Sequence, residues 1–251
     1  MKALFSFLLL MINVSIVSAQ PASPFIEEIR AQFKWTNNQH DFDTIALYAD
    51  EFTDDTPDDG AELKGFYKGD TLYKITEIYG VSFAQYRTEY YFKDNELIFV
   101  YYTEESFKEE ANLPKYEERV YYRRHEIIRH LKKNSPLSGM TRDFQKDLQD
   151  LRPMLDARRR YAKRYEILEG LWKNADNEED WFESQGVRGN WFSGSDFKFS
   201  FRILMGERYF FLHNMDKNED IKYELLNLNA DSLEIQNRLT GEYLLFEKNR
   251  D

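Results

Sequence analysis

Tyr67-Lys68-Gly69-Asp70-Thr71-Leu72-Tyr73 decides the reading of the fold, because its pattern returns twice further on. The second copy is Phe92-Lys93-Asp94-Asn95-Glu96-Leu97-Ile98 and the third is Tyr122-Arg123-Arg124-His125-Glu126-Ile127-Ile128. Each copy runs from an aromatic through a basic residue and a polar pair or triplet into an apolar stretch. Gly69-Asp70 and Asp94-Asn95 have the chemistry of tight hairpin turns; Arg124-His125 suits one less well. Hairpins share turn grammar, but aromatics in register on all three copies favour a true supersecondary repeat. The product is an antiparallel meander of about six or seven strands.

The strands around the second copy, 88–92 and 97–102, carry Tyr90, Tyr91, Phe92, Phe99, Tyr101 and Tyr102. Strand periodicity sends these rings to both faces, so the sheet needs more than one packing partner. One partner lies just upstream. Ser23-Pro24 reads as a helix start, with Glu27 and Glu28 near its positive end and Phe25, Ile29 and Phe33 on one stripe. A single helix cannot cover that much aromatic surface, and what is left over suits partner recognition. Tyr90 and Tyr101 are therefore named as candidate binding residues.

Downstream, Pro136 and Gly139 close the region, and Phe144, Leu148, Leu151 and Leu155 form the stripe of an amphipathic helix. Asp143, Asp147 and Asp150 lie early in that helix and Arg158, Arg159, Arg160, Lys163 and Arg164 late, matching the helix dipole. Pro153 predicts a kink or break. The stripe is expected to pack on one or both sheets. From residue 168 the alternation of Phe197, Phe199, Phe201 and Ile203 with Lys198, Ser200 and Arg202 marks a second β-region, with local turns at Asn229, Asp231 and Thr240-Gly241. About six or seven short strands fit an up-and-down sheet or small barrel. A closed sheet needs about eight strands before it leaves an interior cavity, so a side-chain-filled interior is expected.

Gly170-Leu171-Trp172-Lys173, Asp231-Ser232-Leu233-Glu234 and Leu245-Phe246-Glu247-Lys248 resemble the small lipocalin-like domains of exported bacterial proteins. Glu89-Tyr90-Tyr91-Phe92 with Leu97-Ile98-Phe99 resembles a further group of uncharacterised exported bacterial proteins. The first resemblance implies a β-barrel whose opening Trp172 plugs one end. Trp181 and Trp191, flanked by polar residues, are the candidate lining of a pocket mouth.

The composition narrows the function by exclusion. The chain has 251 residues, no Cys and a net charge of −11. The missing Cys removes disulfides, thiolate metal sites, thiol catalysis and a lipidated Cys, and the negative charge argues against nucleic acid as a partner. Met1-Lys2 followed by an apolar run of about 15 residues and Val17-Ser18-Ala19 reads as a signal peptide. Cleavage after Ala19 gives a soluble exported protein, periplasmic or extracellular, that is neither membrane-spanning nor a lipoprotein.

Catalytic motifs are not found. His125 and His130 stand five apart, whereas a zincin pair needs four. Asp216-Lys217-Asn218-Glu219-Asp220 has Ile221 where a calcium loop requires Gly. No metal is assigned; Asp54, Asp55, Asp58 and Asp59 before Gly60 form the one acidic loop with calcium as an alternative to simple solvation. No G-x-S-x-G elbow, Rossmann fingerprint or phosphate-binding Gly-rich loop occurs, and no cofactor is expected.

The sequence thus predicts an α+β, mostly antiparallel protein in four parts. These are a signal peptide over 1–19, a helix on a repeated β-meander over 20–136, a connecting helix over 137–167 and a lipocalin-like β-domain over 168–251. The function expected is non-catalytic, through binding of a protein or envelope component at exposed aromatics or in the groove between domains. The alternatives are small-molecule or lipid binding by the β-domain and a carboxylate-based glycan hydrolase.

Overall fold

A computed structural model describes residues 23–53, 57–107, 114–139 and 141–249. The expected signal peptide, Asp54 and Asp55 lie outside the described residues. The first β-region is a sheet of seven sequential antiparallel strands. They are β1 (Asp43–Tyr48), β2 (Ala61–Lys68), β3 (Thr71–Val81), β4 (Ala84–Lys93), β5 (Glu96–Ser106), β6 (Tyr116–Arg123) and β7 (Glu126–Lys133).

Each copy of the recurring motif closes a hairpin with a two-residue turn, pairing Lys68 with Thr71, Lys93 with Glu96 and Arg123 with Glu126. Each hairpin also shifts register at the equivalent aromatic pair, Phe66/Tyr67, Tyr91/Phe92 and Tyr121/Tyr122. The extra residues at the three bulges are Tyr73, Ile98 and Ile128, again equivalent. Arg124 and His125 adopt positive φ angles of 49° and 68°, as Asp94 and Asn95 do at 51° and 63°. The less suitable pair is thus held in the same left-handed turn.

The two faces of the sheet have different partners. On the outer face, Tyr91, Phe99 and Tyr121 lie under helix α1 (Pro24–Asn37), which contributes Ile26, Ile29 and Phe33. Phe33 packs at ring-centroid distances of 4.8 Å from Tyr91 and 5.6 Å from Phe99. On the inner face, Leu63, Ile75, Tyr90, Phe92, Val100 and Val120 join one continuous core with helix α2 (Phe144–Arg160) and the second β-region. The helix buries Phe144, Leu151 and Leu155 of the expected stripe, and Leu148 is partly buried.

Helix α2 runs through Pro153, and the break falls instead at Tyr161, before α3 (Ala162–Leu168). Pro153 and Gln149, whose carbonyl loses its donor, are both exposed, on the side of the helix where solvent rather than a buried core meets the gap in the ladder, and the helix continues. Three side chains of α2 clasp the three hairpin turns. Gln145 donates to the carbonyl of His125 at 2.7 Å, Arg152 to that of Asn95 at 3.0 Å and Arg159 to that of Gly69 at 2.6 Å. The donors are spaced by heptads. Seven helical residues rise about 10.5 Å, and two strand spacings span about 9.6 Å, so helix and sheet stay in step.

The second β-region is a closed up-and-down barrel of eight strands, where the sequence predicts six or seven. Its strands are β8 (Gly170–Asn174), β9 (Asp180–Gln185), β10 (Arg188–Ser193), β11 (Asp196–Met205), β12 (Tyr209–Asn214), β13 (Glu219–Leu228), β14 (Ser232–Asn237) and β15 (Tyr243–Asn249). The pairing of β15 with β8 closes the ring. Strands β8 to β10 are short and Trp-rich, and their alternation is too brief to read from sequence. Eight strands leave an interior just wide enough for side chains. Trp172, Phe182, Phe201, Leu233, Ile235 and Phe246 occupy it, all buried. A Cβ at Gly189 would lie 2.5 Å from the Phe201 ring and 2.2 Å from the Glu183 carbonyl oxygen, so β10 admits no larger residue there. Among the described residues, no helix is long and apolar enough to cross a membrane.

Candidate functional site

Strand parity separates the expected site residues. Tyr90 is 0% exposed on the inner face, which corrects its assignment as an exposed binding aromatic. Tyr101 pairs with Glu89, on the opposite face from Tyr90, and stays partly open beside α1. There it borders a shallow 350 Å³ hollow with Phe33, Phe99 and Tyr121, under the Arg119 guanidinium at 5.6 Å.

Trp181 pairs with Phe192, and Trp191 with Phe182, on successive rungs of the β9–β10 ladder. Successive rungs face opposite sides, so the two tryptophans do not share a pocket mouth. Trp191 turns inward among Phe182, Phe199 and Phe246. Trp181 stacks on Phe192 outside, with ring centroids 3.9 Å apart, and donates its indole N–H to the Gly194 carbonyl. Of the acidic loop, Asp58 and Asp59 are exposed, and Asp59 uses its backbone N–H to bond Gly80.

The structure instead gathers functional groups in the groove where barrel, connecting helices and the first strand meet. Two rungs on the barrel exterior build one wall. Arg202 on β11 stands opposite His213 on β12, which stands opposite Asp220 on β13; beside them Leu204 stands opposite Phe211. His213 Nδ1 lies 2.8 Å from the Asp220 carboxylate. Arg202 is only 9% exposed although it points out of the barrel, because the groove encloses it. The other wall comes from Leu47, from Glu51 in the short turn Ala49–Glu51, and from Asp150, Pro153 and Met154 of α2. The cavity is about 410 Å³, with Leu47, Met154, Val187, Leu204 and Phe211 as its apolar lining.

Helix α3 fixes the floor. The Tyr165 hydroxyl donates to the Ile203 carbonyl at 3.2 Å and accepts from the Met205 N–H at 2.9 Å. Burial pushes this phenol up to about 12, so it stays a neutral hydrogen-bonding strut at physiological pH. Among the described residues, no Ser, Thr or Cys lines the cavity. What the arrangement offers is an apolar seat with a charged rim at the junction of two folding units, where ligand sites concentrate.

The sequence carried a signal for this wall. Ile203-Leu204-Met205 and Tyr209-Phe210-Phe211-Leu212 are unbroken apolar runs, the mark of strands buried on both faces. Arg202, His213 and Asp220 themselves had none, because only the register of three strands and the placement of α2 bring them together.

The buried carboxylates of the sheet follow one pattern. Glu89, Glu104 and Glu118 each accept from a tyrosine two residues away on the same strand, Tyr91, Tyr102 and Tyr116 respectively. Glu104 also accepts from the Leu137 and Ser138 N–H groups and the Ser138 hydroxyl. Burial drives the Glu89 carboxyl up, but Lys74, the Tyr91 hydroxyl and Arg87 outweigh it and hold it below the usual carboxylate range.

Comparison of the chain with protein-family models, with curated proteins and with solved structures gives no match.

Proposed function

We propose that this chain is an exported, non-catalytic binding protein of the cell envelope whose binding site is the groove between the seven-stranded sheet and the barrel. The observation that carries the reading is the rung of buried Arg202, half-buried His213 and exposed Asp220 beside the apolar pair Leu204 and Phe211, facing α2 across a cavity of 410 Å³. A groove of that size seats one or two large side chains, the anchor of a partner protein. It is also large enough for a small apolar molecule, the alternative reading.

Two further features support binding over catalysis. Among the described residues the groove lining offers no alcohol or thiol nucleophile, and its one phenol is kept neutral by burial and is engaged in two backbone bonds. Two carboxylate pairs come to mind for a hydrolase: Glu77 and Asp147, both spent on the Arg142 guanidinium at 2.9 and 2.7 Å, and the diagonal neighbours Glu104 and Glu118. Glu104 is saturated by four donors, and Glu118 is occupied by Tyr116 and His130, so neither is presented to a substrate.

The test uses purified protein and the neutral apolar dye Nile red. Saturable single-site fluorescence enhancement is expected, weakened at least tenfold in Leu204→Trp, which fills the groove. Leu239→Trp, at a fully exposed position, should leave the dye isotherm unchanged. Equal binding by all three proteins places apolar binding elsewhere and overturns the reading.

A further inference from the structure

The outer edge of β7 is a second, independent surface. As the terminal strand of the sheet it pairs, among the described residues, only with β6, and all eight of its residues are exposed. Exposed sheet edges are ordinarily blunted by charge, by bulges or by a covering element, because their free N–H and C=O groups recruit other strands. Strand β7 has charge and a bulge, yet it also exposes Ile127 at 57%, Ile128 at 40% and Leu131 at 36%. Three solvent-facing aliphatics on an unpaired edge are not a protective feature.

The charge on this edge is opposite to that of the chain. Against a net charge of −11, β7 carries Arg129, Lys132 and Lys133 with Glu126 as its only acid. The two faces of the strand differ. His130 and Lys132 are engaged by Glu118 on β6, on the inner side. Arg129 and Lys133 lie on the outer side with Leu131 between them, and among the described residues neither has an ion-pair partner. A strand laid along this edge meets cation, aliphatic, cation on one face.

We propose that β7 is a docking edge that takes an extended acidic segment of a partner protein by strand addition. Main-chain bonds to the edge supply affinity, and carboxylates opposite Arg129 and Lys133 set register and specificity. A second copy of this chain is the less suitable occupant. Copies related by a two-fold axis pair through residues on the same face, and the register centred on Leu131 sets Arg129 against Lys133 and His130 against Lys132. Like charges directly opposite destabilise a sheet pairing.

The test uses the full mature chain with an eight-residue peptide alternating Val and Glu and its Val/Lys counterpart, followed by fluorescence anisotropy and amide exchange. The Val/Glu peptide is expected to bind, to weaken at high salt and to slow exchange along β7, while the Val/Lys peptide does not bind. Arg129→Glu with Lys133→Glu, both exposed changes, should weaken binding at least tenfold with the thermal midpoint retained. Binding indifferent to charge reversal, or no exchange protection on β7, overturns the proposal. So does self-association of the unliganded protein through this edge in sedimentation, which would assign it to a second copy.

Discussion

Arg152 on α2 donates to the carbonyl of Asn95 in the β4–β5 turn at 3.0 Å, and seven residues to either side Gln145 and Arg159 do the same for the other two turns. The repeat in the sheet is thereby matched by a repeat in the helix. Replacing Arg152 by Ala should lower stability by about 1 kcal/mol, the scale of one partly exposed charged hydrogen bond. Amide exchange should speed up locally at residues 93–96, while the turns held by Gln145 and Arg159 keep their protection. Uniform loosening of all three turns would contradict a set of separate clasps.

Tyr90 and Tyr91 are consecutive and both fully buried, but their hydroxyls differ. Tyr91 donates to Glu89 and lies 3.0 Å from the Asn37 side-chain amide, whereas the Tyr90 hydroxyl has no hydrogen-bond partner among the described residues. A buried unsatisfied group costs about 1–3 kcal/mol. Tyr90→Phe should therefore be neutral or stabilising, and Tyr91→Phe should destabilise by about 1–2 kcal/mol. Denaturant unfolding of the two variants checks the sign of each.

Glu89 gives the sheet an acid-sensitive contact. Its carboxyl is held below the usual range in the folded chain, so its stabilisation is complete above the unfolded carboxylate value, about pH 4.3. It is lost as pH falls through the lower folded value. Glu89→Gln should be less stable at pH 7 and show a shallower loss of stability below about pH 4.3. Parallel acid limbs in wild type and variant would show that Glu89 is not the titrating contact.

The Arg124-His125 turn holds two side chains in the left-handed region that Asn and Gly adopt at less cost. Arg124→Asn with His125→Gly should raise stability by about 1 kcal/mol, visible as a higher thermal midpoint. A lower midpoint would mean that the two side chains contribute contacts larger than the backbone strain.

These tests also mark how far the sequence reads. The three hairpins were legible because turn chemistry and aromatic register are local, and so was the α2 stripe; on α1, Ile26 takes the buried place expected of Phe25, which lies against Arg123 instead. The full count of barrel strands was not legible, since β8 to β10 alternate too briefly, and neither was closure, which depends on β15 meeting β8 at the two ends of the domain. Pro153 misled because its cost depends on whether the freed carbonyl of Gln149 meets water. Tyr90 and Tyr101 were correctly named as rings on a two-faced sheet, but which face stays open depends on α2 and the barrel. Trp181 and Trp191 were near in sequence and parted by strand parity. The groove residues Arg202, His213 and Asp220 come from three strands, and only their apolar neighbours left a sequence signature.

The central claim is that the groove between sheet and barrel is where this protein holds its partner. The most direct measurement places a photo-crosslinking amino acid at Met154, inside the groove, or at Leu239, fully exposed on the barrel, in the cells that make the protein. A discrete adduct is expected from position 154 that is missing from position 239 and is lost in the Leu204→Trp background. Its mass distinguishes a protein partner from a small molecule. Adducts from both positions alike, or none from 154, would contradict it.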